Sequence, residues 1–285
     1  YKFGTFSRLS ARADVIDDFN EPAEEILQKA FLRLCAIDSR RWIQFLLRVL
    51  THIDDVDFTK LSDIEKRMMQ MFYVTVWLKT VDNWSNDEVL DNLYSLSDSP
   101  VLLQELVDLL KYRYDHIDFI DKPVDVGFEC PLDLHCTYTR DQILVALDFM
   151  KPATVREGMK WLPEKNVDVF FITLNKADKD YSPTTMYNDY SINSELFHWQ
   201  SQSTTAEKSP TGQRYIHHAE KGNRILLFVR EFKTDRISGG AESYTYLGTA
   251  NYVKHTGEKP MNITWKLDNS IPAKYLKKTN KLVVG

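Results

Sequence analysis

MNITWKL, residues 261–267, alternates apolar and polar side chains along its whole length. Successive side chains of a β-strand point to opposite faces, so this period predicts a strand with one buried face. Four further runs in the second half of the chain are strand-like: DVFFITL (168–174), RYIHH (214–218), RILLFVREF (224–232) and SYTYLG (243–248). Short strands separated by Gly, Pro and Ser turns predict a small β-barrel or sandwich.

Residues 20–118 show a different period. In LSDIEKRMMQMFYVTVWL (61–78) the apolar positions recur at helical spacing, which is typical of an amphipathic helix. A hydroxyl residue followed by Glu three positions later, or directly by Pro, is a helix-start signal because it suits the free N–H groups of the first turn. Three sites carry such signals: Ser62 with Glu65, Ser85 with Glu88, and Ser99 before Pro100.

The period changes near Pro123, after which only one short helix, begun by Thr139, precedes the strand-like runs. We therefore expect an α+β chain of two domains. Residues 1–124 would form a helical bundle with a linking or assembly role, and residues 125–285 a mainly β domain.

Composition limits the function classes. The chain has 285 residues, of which 43% are hydrophobic, and three cysteines. It shows no apolar leader and no run near the ~20 residues that span a bilayer, so we predict a cytoplasmic protein without disulfides or a membrane partner. The chain starts at Tyr1, so we expect it to be part of a longer protein. Residues 1–125 carry net charge −8 and residues 126–285 net charge +3, so the second half could face a polyanion.

Common catalytic and cofactor motifs are missing from the sequence. It has no phosphate-binding loop, dinucleotide fingerprint, nucleophile elbow or zinc-protease motif, so we predict a non-catalytic chain without a cofactor. CPLDLHC (130–136) offers too few ligands for a closed metal site, and we predict no metal. HTGEKP (255–260) resembles the linker between tandem zinc fingers, but no ligand pairs flank it, and Gly257 and Pro260 are interpreted as turn residues.

One short stretch, YNDYSINSELFHWQSQSTT (187–205), concentrates rings, amides and hydroxyls. If FHWQSQS is extended, Phe197, Trp199 and Ser201 face one side, and His198, Gln200 and Gln202 face the other. Two interpretations remain open, because aromatic alternation also marks an ordinary half-buried strand. Either Phe197 and Trp199 are core residues, or the stretch binds a nucleobase.

The same region carries a family resemblance. The blocks that show it are PLDLHCTYTR, TLNKADKDYSPTTMYNDYSI, FHWQSQSTT, SPTGQRYIHH, LLFVRE, YTYLGTANYV and GEKPMNITWKL. Block after block, residues 125–275 resemble the C-terminal domain, of uncharacterised type, that follows phospholipase-D-like nuclease and DEAD-box helicase modules. Its best-known setting is the SauUSI-type restriction enzymes, which are ATP-dependent type IV systems.

The resemblance implies a fold and a function. The second domain would be an SRA-like (PUA-like) β-barrel that recognises DNA carrying 5-methylcytosine or 5-hydroxymethylcytosine. Nuclease and helicase domains would lie upstream in the same polypeptide, and a homodimer is a possible assembly. A small barrel can enclose a base only if the base is flipped out of the duplex, so base flipping is expected.

Chemistry and spacing, rather than the family motif, suggest individual roles. Rings can stack on a base, amides and a carboxylate can read its edge, and hydroxyls and cations can hold phosphates. The candidate base-binding residues are Tyr187, Asp189, Tyr190, Trp199 and Gln200. The candidate DNA-backbone residues are Ser201, Gln202, Ser203, Thr204, Lys208 and Arg214.

Two rival functions come from other classes. The chain could be a structural or dimerisation module of such a nuclease-helicase, without direct base readout. It could also be a free-standing nuclease that uses scattered carboxylates such as Glu157 and Asp168 to chelate magnesium, although no paired-acid pattern singles them out. The charge difference between the two halves favours DNA recognition over the structural role, and the lack of a paired-acid or histidine–metal pattern makes the nuclease the least favoured of the three.

Overall fold

A computed structural model of the chain describes residues 4–78, 84–175, 189–235, 239–273 and 275–276. The chain forms two compact units, Tyr1–Val155 and Arg156–Gly285. The sequence-based division lay at 124/125, whereas residues 125–155 belong to the first unit.

The first unit is helical. Three short 3-10 turns interrupt it at Ile53–Asp55, Phe58–Lys60 and Ser95–Asp98, and a fourth, Pro152–Thr154, lies close to its end. Its only described strand is the two-residue β1, Thr137–Tyr138. Its α-helices are α1 (Phe6–Arg12), α2 (Glu24–Leu34), α3 (Arg40–Thr51), α4 (Asp63–Trp77), α5 (Asn86–Tyr94), α6 (Pro100–Asp115) and α7 (Arg140–Ala146).

Each predicted helix-start signal lies at the start of a helix, but of the two predicted capping boxes only that of Ser62 and Glu65 is complete. Ser62 and Glu65 form a complete capping box at α4, and Ser85 accepts a hydrogen bond from the backbone N–H of Glu88 at α5. Thr139 caps α7 with its own capping box. These local hydrogen bonds fix where the helices begin because they satisfy N–H groups that have no partner within the helix.

Polar contacts explain why the segment after α6 stays with the helices. The side chain of Asp133 accepts from Ser39 Oγ (2.6 Å) and from Arg41 Nη2 (2.7 Å). Asp38 accepts from the backbone N–H of Thr137 (2.7 Å). Burial raises the pKa of Asp38 to about 7, against the lowering effect of its hydrogen bonds to Thr137. The loop between α2 and α3 therefore holds the chain around residues 133–137, and the change of apolar period at Pro123 does not mark the domain boundary.

The second unit contains a mixed sheet. In the described part of this unit, seven strands of the sheet run in the order β2-β3-β6-β7-β8-β5-β4, with β3 and β6 parallel and the other neighbours antiparallel. A 3-10 turn, Pro163–Lys165, joins the first two strands, and α8 (Pro210–Ile216) lies between β5 and β6. The strands are β2 (Met159–Leu162), β3 (Val167–Thr173), β4 (Tyr190–Ser191), β5 (Leu196–Gln200), β6 (Arg224–Arg230), β7 (Tyr244–Thr256) and β8 (Asn262–Leu267).

The α+β class and four of the five strand predictions are confirmed, and the fifth is wrong. RYIHH does not form a strand, because α8 covers its first three residues. Ser209 caps this helix by accepting from the backbone N–H of Gly212, and Pro210 occupies its first turn. The Ser-Pro start signal, correctly interpreted at Ser99, thus applies here as well. Gly257 and Pro260 lie between β7 and β8, as their interpretation as turn residues predicted.

One face of the sheet and α8 enclose the core of the second unit. Strand β8 contributes alternate residues to this core, Ile263, Trp265 and Leu267. Phe170 of β3 and Tyr215 of α8 pack edge to face, with ring centroids 5.5 Å apart. No helix among the described residues is long and apolar enough to cross a bilayer.

Candidate functional site

Strand β5 presents two chemically different faces, as its alternation predicted. Phe197 and Trp199 face the core, with relative exposures of 0% and 5%. The Trp199 ring stacks on Phe170, with centroids 4.0 Å apart and planes 13° apart. His198 and Gln200 face the other way and are half-buried.

Strand register assembles a polar face from residues far apart in sequence. Tyr190 pairs with His198, and His198 pairs with Thr264 across β5 and β8. Gln200 pairs with Asn262 in the next row. Directly opposed residues of antiparallel strands lie on the same face of a sheet. We call these five residues the polar sheet face: Tyr190, His198, Gln200, Asn262 and Thr264.

Two flat rings stack within the polar sheet face. The centroids of Tyr190 and His198 are 4.7 Å apart and their planes differ by 14°. A tight turn aligns their strands, since the Asn193 side chain accepts from the backbone N–H groups of Glu195 and Leu196, both at 2.8 Å. Both rings are half-buried. The pair therefore offers a planar aromatic surface of the kind on which bases stack.

Amide groups lie beside the rings. Gln200 Nε2 donates to Asn262 Oδ1 at 2.7 Å. The backbone N–H of Gln200 donates to Asp189 Oδ1 at 2.9 Å, and Asp189 is only 2% exposed. Asp189, Tyr190 and Gln200 of the predicted base-binding set thus lie together. Tyr187 lies outside the described residues.

Trp199 is separated from that group by the strand itself. With 5% exposure and one ring face against Phe170, its indole is part of the core. To stack on a base it would have to leave that contact. The base-stacking role predicted for Trp199 therefore has no support from its position, whereas the core interpretation left open by the sequence does.

The predicted backbone-binding residues divide between interior and surface. Ser201 is 0% exposed and its Oγ accepts from the backbone N–H of Met261 at 2.9 Å. Gln202 is half-buried and accepts from Thr205 Oγ1 at 3.2 Å. The remaining three loop residues are exposed: Ser203, Thr204 and Lys208.

Arg214 lies in a buried ion pair. Its Nε and Nη2 donate to the two carboxylate oxygens of Asp168 at 2.8 and 3.0 Å, and its guanidinium lies 4.5 Å from the Trp161 ring centroid. Asn223 Nδ2 also donates to Asp168, at 2.8 Å. Burial raises the pKa of Asp168, and the hydrogen bonds from Arg214 and Asn223 oppose this rise. A phosphate could be bound by Arg214 only in competition with Asp168.

The residues considered as metal ligands form no metal site among the described residues. Glu157 is exposed, and Asp168 is committed to Arg214. Cys130, His135 and Cys136 are buried. Across the described ranges, no three His, Cys, Asp or Glu residues are arranged to hold a metal ion.

Three members of the polar sheet face are not among the site residues predicted from the sequence: His198, Asn262 and Thr264. Asn262 and Thr264 stand more than sixty positions from His198, and only strand pairing brings them together. The position of His198 on this face could have been predicted, since it alternates with the two apolar rings of FHWQ.

The polar sheet face combines stacked rings, amides and a hydroxyl, which suits hydrogen bonding to a planar heterocycle. Comparison with curated proteins gives no match. One protein family matches, described as a domain of unknown function (DUF3427), over residues 132–278. Since this match covers just over half of the 285 residues, from α7 and the segment before it to the end of the sheet, the chain belongs to the DUF3427 family.

Proposed function

We propose that the second unit binds duplex DNA and senses 5-methylcytosine or 5-hydroxymethylcytosine, as the non-catalytic recognition part of a larger type IV restriction endonuclease. The polar sheet face is the observation that carries DNA binding. It places the stacked pair of Tyr190 and His198 beside the amides of Gln200 and Asn262. Rings that stack and amides that read an edge are the groups by which proteins bind exposed bases.

Preference for modified cytosine rests on the sequence resemblance to SauUSI-type enzymes. In that setting the nuclease and helicase domains precede the recognition domain in one polypeptide. The net charge of +5 over residues 156–285, against −10 over residues 1–155, is in keeping with the second unit meeting the DNA.

We also infer that the sheet is part of an SRA-like barrel. Two irregularities of register support strong curvature, one between Leu227 and Phe228 and one between Tyr252 and Lys254. Such bulges bend strands and increase their twist, which closing a barrel requires.

Stacking on the protein can offset most of the free energy that base flipping costs. Extruding a base costs a few kcal/mol, and stacking on protein rings returns about 1–3 kcal/mol. A buried methyl group adds about 0.8 kcal/mol, which is about fourfold in affinity. We therefore expect duplex with 5-methylcytosine to bind about fourfold more tightly than plain duplex.

An electrophoretic titration of the 285-residue chain with plain, methylated and hydroxymethylated duplexes of one sequence tests the proposal. Equal affinity for all three would remove modification sensing and leave general DNA binding. If no duplex binds at low salt while the chain sediments as a dimer, the structural or dimerisation function replaces the proposal.

A further inference from the structure

The loop after β5 and the turn between β7 and β8 are joined by backbone hydrogen bonds. The backbone N–H of Ser201 donates to Met261 O at 2.9 Å, and that of Lys259 donates to Thr205 O at 3.0 Å. Ser201 Oγ accepts from the N–H of Met261 at 2.9 Å. These bonds hold two segments that are 54 to 60 residues apart in sequence in one fixed arrangement.

Close packing fixes the loop from its other side. A Cβ atom at Gly212 of α8 would lie 2.1 Å from the backbone oxygen of Ala206, so only glycine fits there. Ser209 caps the same helix and its Oγ donates to Ala206 O at 2.6 Å. The loop is thus held both by α8 and by the β7–β8 turn.

Contacts among three side chains form a third connection between the loop after β5 and strand β7. Tyr252 Oη lies 2.6 Å from His255 Nδ1, and His255 Nε2 lies 3.4 Å from a carboxylate oxygen of Glu207. With a proton on Nε2, the imidazole can donate to Glu207 and accept from Tyr252 Oη at Nδ1. His255 therefore links the loop to β7.

Exposed hydroxyls and lysines cover the joined segments. We call the following residues the loop–hairpin surface: Ser203, Thr204, Lys208, Lys254 and Lys259, all of which are exposed. The two segments also carry two exposed carboxylates, Glu207, which contacts His255, and Glu258. Three lysines against two carboxylates leave a small positive excess, which favours an anionic partner.

The loop–hairpin surface continues the polar sheet face. Lys254 pairs with Thr264 in the sheet register, in the same row as His198. Thr256 pairs with Asn262 in the next row. A nucleic acid whose base lies on the polar sheet face would consequently bring its backbone towards Lys254.

We propose that the loop–hairpin surface binds the phosphate backbone of the duplex whose base the polar sheet face contacts, with Lys254 and Lys259 as phosphate contacts and His255 as a positioning residue. This inference rests on the proposed DNA binding. Lysine ammonium groups and hydroxyl groups are common partners of phosphate oxygens and carry no sequence preference. The surface therefore adds affinity for all duplexes equally.

The test is the salt dependence of duplex binding by the whole chain. Each phosphate contact contributes about 0.9 to the slope of log affinity against log salt concentration. We expect Lys254→Ala and Lys259→Ala each to lower the slope by about one and to leave the ratio between methylated and plain duplex unchanged.

Lys233→Ala is the matched control. Lys233 is exposed and precedes β7, whereas Lys259 follows it. Since β7 has 13 residues, its two ends are roughly 40 Å apart at ~3.3 Å per residue. We expect Lys233→Ala to keep the salt slope of the unaltered chain. If the unaltered chain binds duplex and the Lys254 and Lys259 variants also keep that slope, the inference fails while the proposed function stands. If the unaltered chain binds no duplex, both fail.

His255→Ala separates positioning from phosphate contact. We expect weaker binding of every duplex with an unchanged salt slope, because the lysines remain but the loop loses its link to β7. A slope reduced by about one would instead make His255 a direct phosphate contact. Unaltered affinity in a folded His255→Ala protein would overturn its positioning role.

Discussion

The two faces of strand β5 differ in the contacts that their side chains make. The inner face packs Trp199 against Phe170 within a closed aromatic core. The outer face stacks Tyr190 on His198 and joins Gln200 to Asn262. On the inner face a buried aromatic ring stabilises the fold, whereas on the outer face the rings of Tyr190 and His198 are half-buried. Aromatic character therefore does not identify a binding residue until its face is known.

Trp199→Ala should have the largest effect, on stability. Removing a buried indole leaves a cavity and costs about 3–5 kcal/mol of unfolding free energy. Denaturant unfolding monitored by circular dichroism measures this change. Any folded fraction should keep its preference for methylated duplex.

The opposite pattern would reverse the assignment of faces. If Trp199→Ala unfolds at the unaltered denaturant concentration and no longer distinguishes methylated from plain duplex, Trp199 contacts the base, as the sequence alone suggested.

Arg214→Met should cause the second-largest loss of stability, and this loss should depend on pH. The variant keeps an apolar stem beside Trp161 but leaves the buried Asp168 carboxylate without its cation, at a cost of about 3 kcal/mol. Because burial already raises the pKa of Asp168 and Arg214 opposes the rise, losing Arg214 raises it further. A raised carboxylate pKa destabilises the folded state progressively as pH rises from about 3.9 to the raised pKa, and the loss is constant above it. The stability loss should therefore be larger at pH 8 than at pH 5.5.

Denaturant unfolding at the two pH values checks the Arg214 prediction, with Lys208→Ala as an exposed basic control. If Arg214→Met keeps its stability at both pH values but lowers the salt slope of DNA binding by about one, Arg214 is a phosphate contact after all.

His198→Ala should show the smallest free-energy change, and in binding rather than stability. Losing one ring of the outer pair should weaken duplex binding by about 1–3 kcal/mol, which is about five- to 150-fold. Unfolding free energy should change by less than about 1 kcal/mol, because the ring is half-buried. Titration of both proteins with methylated duplex measures the difference.

His217→Ala provides the matched control, since His217 follows α8 and lies away from the polar sheet face. Equal affinity of the His198 and His217 variants would exclude the Tyr190 and His198 pair from the base-binding surface. The two faces of β5 would then differ in packing but not in function.

Local sequence patterns were good predictors of elements. The capping box at Ser62 and the cap at Thr139 gave helix starts, and alternation gave β8 with its buried side. In β5 alternation gave the two faces without deciding which of them is buried. RYIHH failed because its apolar spacing was considered without Ser209 and Pro210, the start signal just before it.

Sequence by itself determined the helical first half, the strand-rich second half and the alternation of β5, because capping and side-chain period act over a few neighbouring residues. Tertiary structure alone decided which residues share a surface. Asp168 meets Arg214, and His198 meets Thr264, only through pairings that span more than forty residues. Burial is a property of such distant contacts, so the core position of Trp199 was left open by its own sequence neighbourhood and decided by Phe170 across the core.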